Sequence, residues 1–246
     1  MTKRLLEICT VDPAGIDAAV KGGADRVELC SGLSEGGLTP SAAMMKYAVE
    51  RIDTNVLIRP RGGDFVYTPA ELTVMAADID EAVKIGAKGV VIGALTPDGQ
   101  VDTQACRRLL AHARGLSNTF HRAFDLTADP FKALDEIIEL GFSRVLTSGQ
   151  APSALEGAEL LAELHRHAAG RIIIMAGAGV NPGNAAELQR LSQADELHAS
   201  ARSAVPSAMK ATRGVAMGSA DDPSAPRMAT DATIVAALKE CITHNV

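Results

Sequence analysis

Two segments near the N-terminus carry one pattern, a glutamate followed two residues later by a cysteine: Glu7 and Cys9 in LEIC, Glu28 and Cys30 in VELC. Two thiols on neighbouring strands, about 4.8 Å apart, suit a soft monovalent ion such as Cu(I). They are too few for a closed structural zinc site, which takes four ligands. The plain alternative is that both cysteines fill space as small buried hydrophobes. Further along stand Arg59 and Arg61 in IRPRGG, His121 in TFHRAFD, and His198, Ser200 and Arg202 in ELHASAR. These residues describe acid–base chemistry on a small anionic or phosphorylated ligand: Glu7 or Glu28 as general acid or base, His121 or His198 as proton partner or electrophile, Arg59 and Arg61 as an anion clamp. In the copper reading the two histidines serve as auxiliary ligands. In the plainest reading Glu7, Glu28 and Arg59 form an ion-pair network that plugs the interior.

A second constellation lies in MAGAGVNPG over 175–183. Gly177 and Gly179 let backbone N–H groups approach an anion, and a helix starting after Asn181 adds its positive end. Thr147 and Ser148 offer further donors, and Arg202 a charge. The competing reading is that these glycines only permit tight turns.

The elements that must position these groups repeat eight times along the chain: a short apolar strand, a polar or Gly-bearing turn, an Ala/Leu-rich helix, then Gly and the next strand. Strands are expected over 5–10, 26–31, 55–61, 89–95, 118–125, 144–148, 171–176 and 196–201. Helices are expected over 13–22, 41–52, 69–85, 103–114, 130–140, 153–168, 182–192 and 231–243. Asp12-Pro13, Asp129-Pro130 and Asn181-Pro182 each supply an N-cap followed by Pro at the first helical position.

Alternating strands and helices imply parallel pairing with right-handed crossovers. Eight even units fit a closed (β/α)8 TIM-type barrel better than an open sheet, and no linker divides residues 1–246. The stretch over 202–231, rich in Ser, Ala, Pro, Asp and Met, breaks the rhythm as a long C-terminal loop after strand eight; it reads as a lid or as partly disordered. Strand alternation turns Leu6, Ile8, Val27, Leu29, Val56, Ile58, Phe120, Phe124, Leu197, Ala199 and Ala201 toward the helices. It turns Glu7, Cys9, Glu28, Cys30, Arg59, Arg61, His121, Asp125, His198, Ser200 and Arg202 toward the barrel axis, near the strand C-termini where this fold builds active sites.

Composition removes several function classes. With 24 basic against 30 acidic residues the net charge is −6, which disfavours general binding to nucleic-acid backbones. No Trp, two Tyr and five Phe leave little for stacking on bases. No apolar run reaches the roughly 18 residues of a membrane span, and the first apolar stretch is too short for a signal peptide. Four cysteines in 246 residues do not make a disulfide scaffold, so a reducing, cytoplasmic setting is expected. Nothing points to a nucleotide cofactor.

The assembled motifs resemble the CutC family, the so-called copper homeostasis proteins. The resemblance runs from LEIC at 6–9 to VAMG at 215–218. It is densest in GGADRVELCSGLSEGGLTP at 22–40, IRPRGGDF at 58–65, TFHRAFD at 119–125, RVLTSG at 144–149 and ELHASAR at 196–202. It implies a cytosolic TIM-type barrel that is usually a homo-oligomer such as a homodimer, with Cu(I) carried by the positions that are Cys9 and Cys30 here. MKATRG at 209–214 follows the family's corresponding run only loosely. Three readings therefore stand side by side: a copper-binding protein, a barrel enzyme acting on a small anionic or phosphorylated ligand, and a ligand sensor or scaffold.

Overall fold

The computed structural model describes residues 4–209 and 226–243. Its eight parallel strands are β1 (Leu5–Thr10), β2 (Arg26–Leu29), β3 (Thr54–Leu57), β4 (Gly89–Ile92), β5 (Ser117–Phe120), β6 (Arg144–Thr147), β7 (Ile173–Ala176) and β8 (Glu196–Ala199). Each pairs with the next, and β8 pairs with β1 through Leu6–Leu197 and Ile8–Ala199 to close the barrel. The helices between them are α1 (Pro13–Lys21), α2 (Ala42–Val49), α3 (Pro69–Ile85), α4 (Thr103–His112), α5 (Pro130–Leu140), α6 (Ala158–Ala168) and α7 (Ala185–Ser192), with α8 (Ala232–Thr243) at the end. This is the expected (β/α)8 TIM-type barrel. No helix among the described residues is long and apolar enough to cross a membrane.

Local chemistry explains most boundaries. Asp12 caps α1 by accepting from the Gly15 N–H, and Asp129 caps α5 by accepting from the Phe131 and Lys132 N–H groups, each before a Pro with a preset φ. Thr68 and Glu71 form a reciprocal capping box on α3. Gly86 and Gly141 end α3 and α5 with φ of +97° and +84°, which only glycine adopts without strain.

Four expectations are corrected. β3 stops at Leu57 rather than running to residue 61: Arg59 gives its N–H to Thr39 Oγ1 instead of to a neighbouring strand, and Pro60 has no N–H to give. β5 stops at Phe120; Arg122–Leu126 coil into a 3-10 turn, so Phe124 and Asp125 are not strand residues. The helix expected from 153 begins at Ala158, since Gly157 is pressed against the chain, where a Cβ would lie 1.9 Å from the Ser148 carbonyl oxygen. Asn181 does not cap a helix directly: Asn181–Pro182–Gly183–Asn184 is a turn in which Asn181 Oδ1 accepts from the Gly183 N–H, and α7 begins at Ala185.

The two ends of the expected loop over 202–231 pair antiparallel as β9 (Arg202–Val205) and β10 (Arg227–Thr230). The lid reading falls mainly on 210–225, and the MKATRG stretch beyond Met209 with it; both lie outside the described residues.

Two apolar clusters separate the two surfaces of the sheet. Ile8, Val27, Val56, Val90, Phe120, Val145, Ile174 and Leu197 join the large cluster shared with the helices. Cys9, Cys30, Leu57 and Val91 form a small cluster inside the barrel. Beneath it lies a polar floor. Arg26 Nε donates to Glu7 Oε2 at 2.5 Å, its Nη2 pairs with Glu196, and Glu196 also takes Arg144 Nε at 3.1 Å. Asn55 Nδ2 adds a 2.9 Å bond to Glu7 Oε2. The interior ion-pair network thus runs through Arg26 and Arg144, not through Arg59 as the plainest sequence reading had it.

Burial opposes ionisation of Glu7, but Arg26 and His198 outweigh it and hold the carboxyl well below the usual carboxylate range. The stability this supplies is complete above the ordinary carboxylate pKa of about 4.3 and is lost as pH falls below it toward the folded value. Removing one partner of a buried pair leaves the other charge uncompensated. We expect Arg26→Ala to cost about 3–5 kcal/mol in urea unfolding at neutral pH, and to flatten the acid limb of the stability–pH profile. A loss within the range of a surface substitution would show that the floor network does not carry stability.

Candidate functional site at the barrel mouth

At the C-terminal ends of the strands the interior side chains enclose a cavity of about 150 Å3 whose wall includes Cys9, Glu28, Cys30, Arg59, His121 and His198, with Leu57, Phe65 and Leu146 as its apolar part. A larger cleft of about 590 Å3 opens at the opposite end, beside Leu5, Ile173 and Glu196. It lies at the strand N-termini, away from the convergent groups and from the face where barrels build sites.

The thiols of Cys9 and Cys30 meet at 3.3 Å, and the Glu28 carboxylate completes a buried group whose ligand atoms all lie within 4.8 Å of one another. Cys9 and Cys30 form no disulfide. The contact with Cys30, then burial and the nearby Glu28, push the Cys9 thiol well above its ordinary value. Cys106 is buried beneath α4, where burial lifts its thiol to about 12.

His198 and His121 stand in opposite states. His198 Nδ1 lies 2.8 Å from Glu7 Oε1 and its Nε2 lies 3.6 Å from Glu28 Oε2. Burial opposes a charge there, yet Glu28, Cys9 and Glu7 together raise His198 well above its ordinary value. Burial likewise raises Glu28 against the pull of His198.

His121 is 5% exposed, and burial followed by the Arg59 charge pushes it down to about 3. Its Nδ1 accepts from the Ala123 N–H at 3.2 Å, so the neutral ring carries its hydrogen on Nε2. A nitrogen bearing hydrogen has no lone pair for a metal. The auxiliary-ligand expectation therefore does not fit His121 in this arrangement, and the metal-capable atoms that lie together among the described residues are the two thiols and Glu28.

Each ring sits against a glycine. A Cβ at Gly93 would lie 2.7 Å from His121 Cε1 and Nδ1, and one at Gly177 would lie 3.3 Å from His198 Cβ. Gly177 thus makes room for a side chain, and its own N–H is spent on the Thr147 carbonyl at 3.0 Å rather than facing an anion. Gly179 has φ +72°, and its carbonyl takes the Asn181 and Asn184 side-chain amides.

The remaining expected residues are placed as follows. Arg59 is 5% exposed; Nη1 donates to the Glu35 and Gly37 carbonyls and Nη2 to the Gly63 carbonyl, and the guanidinium lies 4.9 Å over the Phe65 ring. It has no carboxylate partner among the described residues. Arg61 does not point inward: it follows Pro60 on the loop past β3 and bonds Glu71 at 2.6 Å and Asp64 at 3.0 Å. Arg202 is exposed on β9, outside the mouth, because the chain turns at Ala201 with φ +45°. Ser200 lies one residue past β8 and is not part of the cavity wall. Thr147 and Ser148 are buried, and both hydroxyls bond the Asp125 carboxylate, at 2.5 and 3.0 Å.

Sequence reasoning passed over Arg26, Arg144, Asn55 and Glu196. All four share strand parity with inward positions already assigned or with their own mouth residues, so the signal was present earlier in each strand. Phe65 and Arg122 also line the cavity from loops that alternation does not reach.

Fold and site together define a TIM-type barrel with a cavity at its strand C-termini that is lined by ionisable and apolar side chains. The CutC family model matches residues 4–203. The chain is 48% identical over 242 residues to the CutC family protein of Chromobacterium violaceum, covering 97% of this chain and 98% of that one. It is 53% identical over 202 residues to the CutC family protein of Xylella fastidiosa, covering 81% and 76% of the two chains. A crystal structure described as that of a copper homeostasis protein, CutC, from Streptococcus agalactiae superposes with a TM-score of 0.77 at 35% identity, covering 80% of this chain and 98% of the other. The chain belongs to the CutC family.

The histidine states have a measurable consequence. Because the unfolded chain protonates His121 near the ordinary value of about 6.5 and the folded chain only near 3, its contribution to stability is complete above the first value and declines as pH falls below it. In ring nitrogen spectra we expect His121 to remain neutral and Nε2-protonated from pH 8 down to about pH 4. A midpoint near the ordinary histidine value would contradict the buried geometry.

Proposed function

We propose that the protein binds a monovalent copper ion at the barrel mouth, between Cys9 and Cys30. The observation that carries this reading is the 3.3 Å contact of two buried thiols at the wall of a cavity. A soft ion prefers thiolate sulfur to carboxylate oxygen, so Cys9 and Cys30 are the ligands and Glu28 a neighbouring charge. The family's association with copper homeostasis supports the same ion. Both thiols must lose their protons to bind, so affinity rises with pH. The thiols of Cys9 and Cys30, in contact without a disulfide, support a cytoplasmic setting, and we take the chain to act as a homo-oligomer, as its family resemblance implies.

A second reading, acid–base chemistry on a small anionic ligand, is favoured by one specific arrangement: His198 held between Glu7 and Glu28 at the cavity wall. In it Glu28 and His198 exchange the proton with the ligand, Glu7 orients the ring, and Arg59 supplies the positive field.

The copper reading is tested by competition with a Cu(I) chelator under reducing conditions. The double variant Cys9→Ala, Cys30→Ala is expected to lose binding, Glu28→Gln to keep it within a few-fold, and the parent to weaken as pH is lowered. A double variant that competes as well as the parent would overturn the assignment.

A further inference from the structure

Six buried side-chain nitrogen or oxygen atoms have no hydrogen-bond partner among the described residues, and two of them, Arg59 Nε and His121 Nε2, belong to side chains of the mouth wall. Both are donors: the guanidinium has no acceptor atoms, and His121 carries its hydrogen on Nε2 because Nδ1 accepts from Ala123. A buried donor left unpaired costs as much as a lost hydrogen bond, and such groups in a cavity point to an acceptor that completes them.

Charge points the same way. In the floor, Glu7 and Glu196 balance Arg26 and Arg144. In the mouth Glu28 faces His198 at 3.6 Å. Among the described residues Arg59 is a buried cation without a carboxylate: its guanidinium meets backbone carbonyls, the Phe65 ring and the Tyr67 side chain. The cavity therefore favours a negative charge carried on acceptor oxygens.

Size and lining narrow the class. A volume of about 150 Å3 is below the usual range for drug-sized or nucleotide ligands. Leu57, Phe65 and Leu146 offer no donors, so they accommodate a short carbon skeleton and not the further oxygens of a phosphate. We propose that the mouth is a binding site for a small organic monocarboxylate, whose oxygens take the Nε2–H of His121 and the field of Arg59. His121 is then the residue that selects the ligand. The inference does not depend on copper. It deepens the acid–base reading by naming its ligand class, and it is separable from it: carboxylate binding without turnover would overturn that reading and leave this one intact.

The test uses metal-free, reduced full-length protein titrated calorimetrically with pyruvate, glycolate and inorganic phosphate. Pyruvate or glycolate is expected to bind and to raise the melting temperature. His121→Phe should weaken that binding about 10- to 100-fold, and His121→Gln, which restores an N–H at the same reach, should recover part of it. Cu(I) competition should be unchanged in His121→Phe, which separates the two ligands. Should the Phe variant fail to fold, the ring nitrogen spectrum of the parent serves instead, with pyruvate expected to shift His121 Nε2. No saturable binding up to about 10 mM, preference for phosphate, equal affinity in His121→Phe, or an unmoved His121 resonance would each overturn the proposal.

Discussion

One carboxylate holds the two halves of the barrel interior together. Glu7 Oε2 accepts from Arg26 Nε and Asn55 Nδ2, which ties it to the floor, while Oε1 faces His198 Nδ1, which ties it to the mouth. A buried carboxylate with no partners would neutralise itself rather than remain charged. Here Arg26 and His198 keep Glu7 ionised, and the ionised Glu7 in turn fixes the orientation of the His198 ring. The geometry of the mouth therefore depends on a network that never touches a ligand. The same reasoning explains why the floor tolerates four charges in so little space: each guanidinium has a carboxylate, and Glu196 accepts from both.

This division separates two tasks that a barrel must reconcile. Packing against the helices is delegated to the outer face, where every strand contributes fully buried aliphatic or aromatic side chains. The inner face is freed from that task and filled with polar groups, at a desolvation cost that only pairing offsets. Where pairing is complete, in the floor, the groups are structural. Where it is incomplete, at Arg59 Nε and His121 Nε2, the structure retains unmet hydrogen-bonding capacity beside a cavity. That contrast is the physical basis for calling one end of the interior a site and the other a support.

Much of this was legible in the sequence, for a definite reason. Strand alternation has a period of two, and Leu6, Ile8, Val27 and Leu29 are apolar enough to fix which parity faces the helices. Glu7, Cys9, Glu28, Cys30 and His198 then follow without further information. Alternation fails once a strand ends, and that is where it misplaced Arg61 beyond Pro60 and Arg202 beyond the turn at Ala201. It also says which face a residue occupies but not how deep it lies, so Arg26 and Arg144 at the strand starts escaped notice although their parity was right. Gly177 was read for its backbone and serves through its missing side chain. Only the neighbouring strand's register, absent from a linear sequence, could bring Gly93 and Gly177 against the two histidine rings.

The charge count also constrains how the two proposed ligands relate. A cuprous ion held by two thiolates replaces two neutral thiols with a group of net charge −1, because two protons leave as one positive ion enters. A monocarboxylate brings the same −1. Arg59 supplies a positive charge in the mouth that no carboxylate meets among the described residues, so each ligand is drawn to the same field and both together bring two negative charges into it. Excess charge in a buried cavity is costly. The two ligands therefore oppose one another electrostatically even where their atoms do not overlap, and the copper and carboxylate readings describe alternative occupants of one electrostatic vacancy.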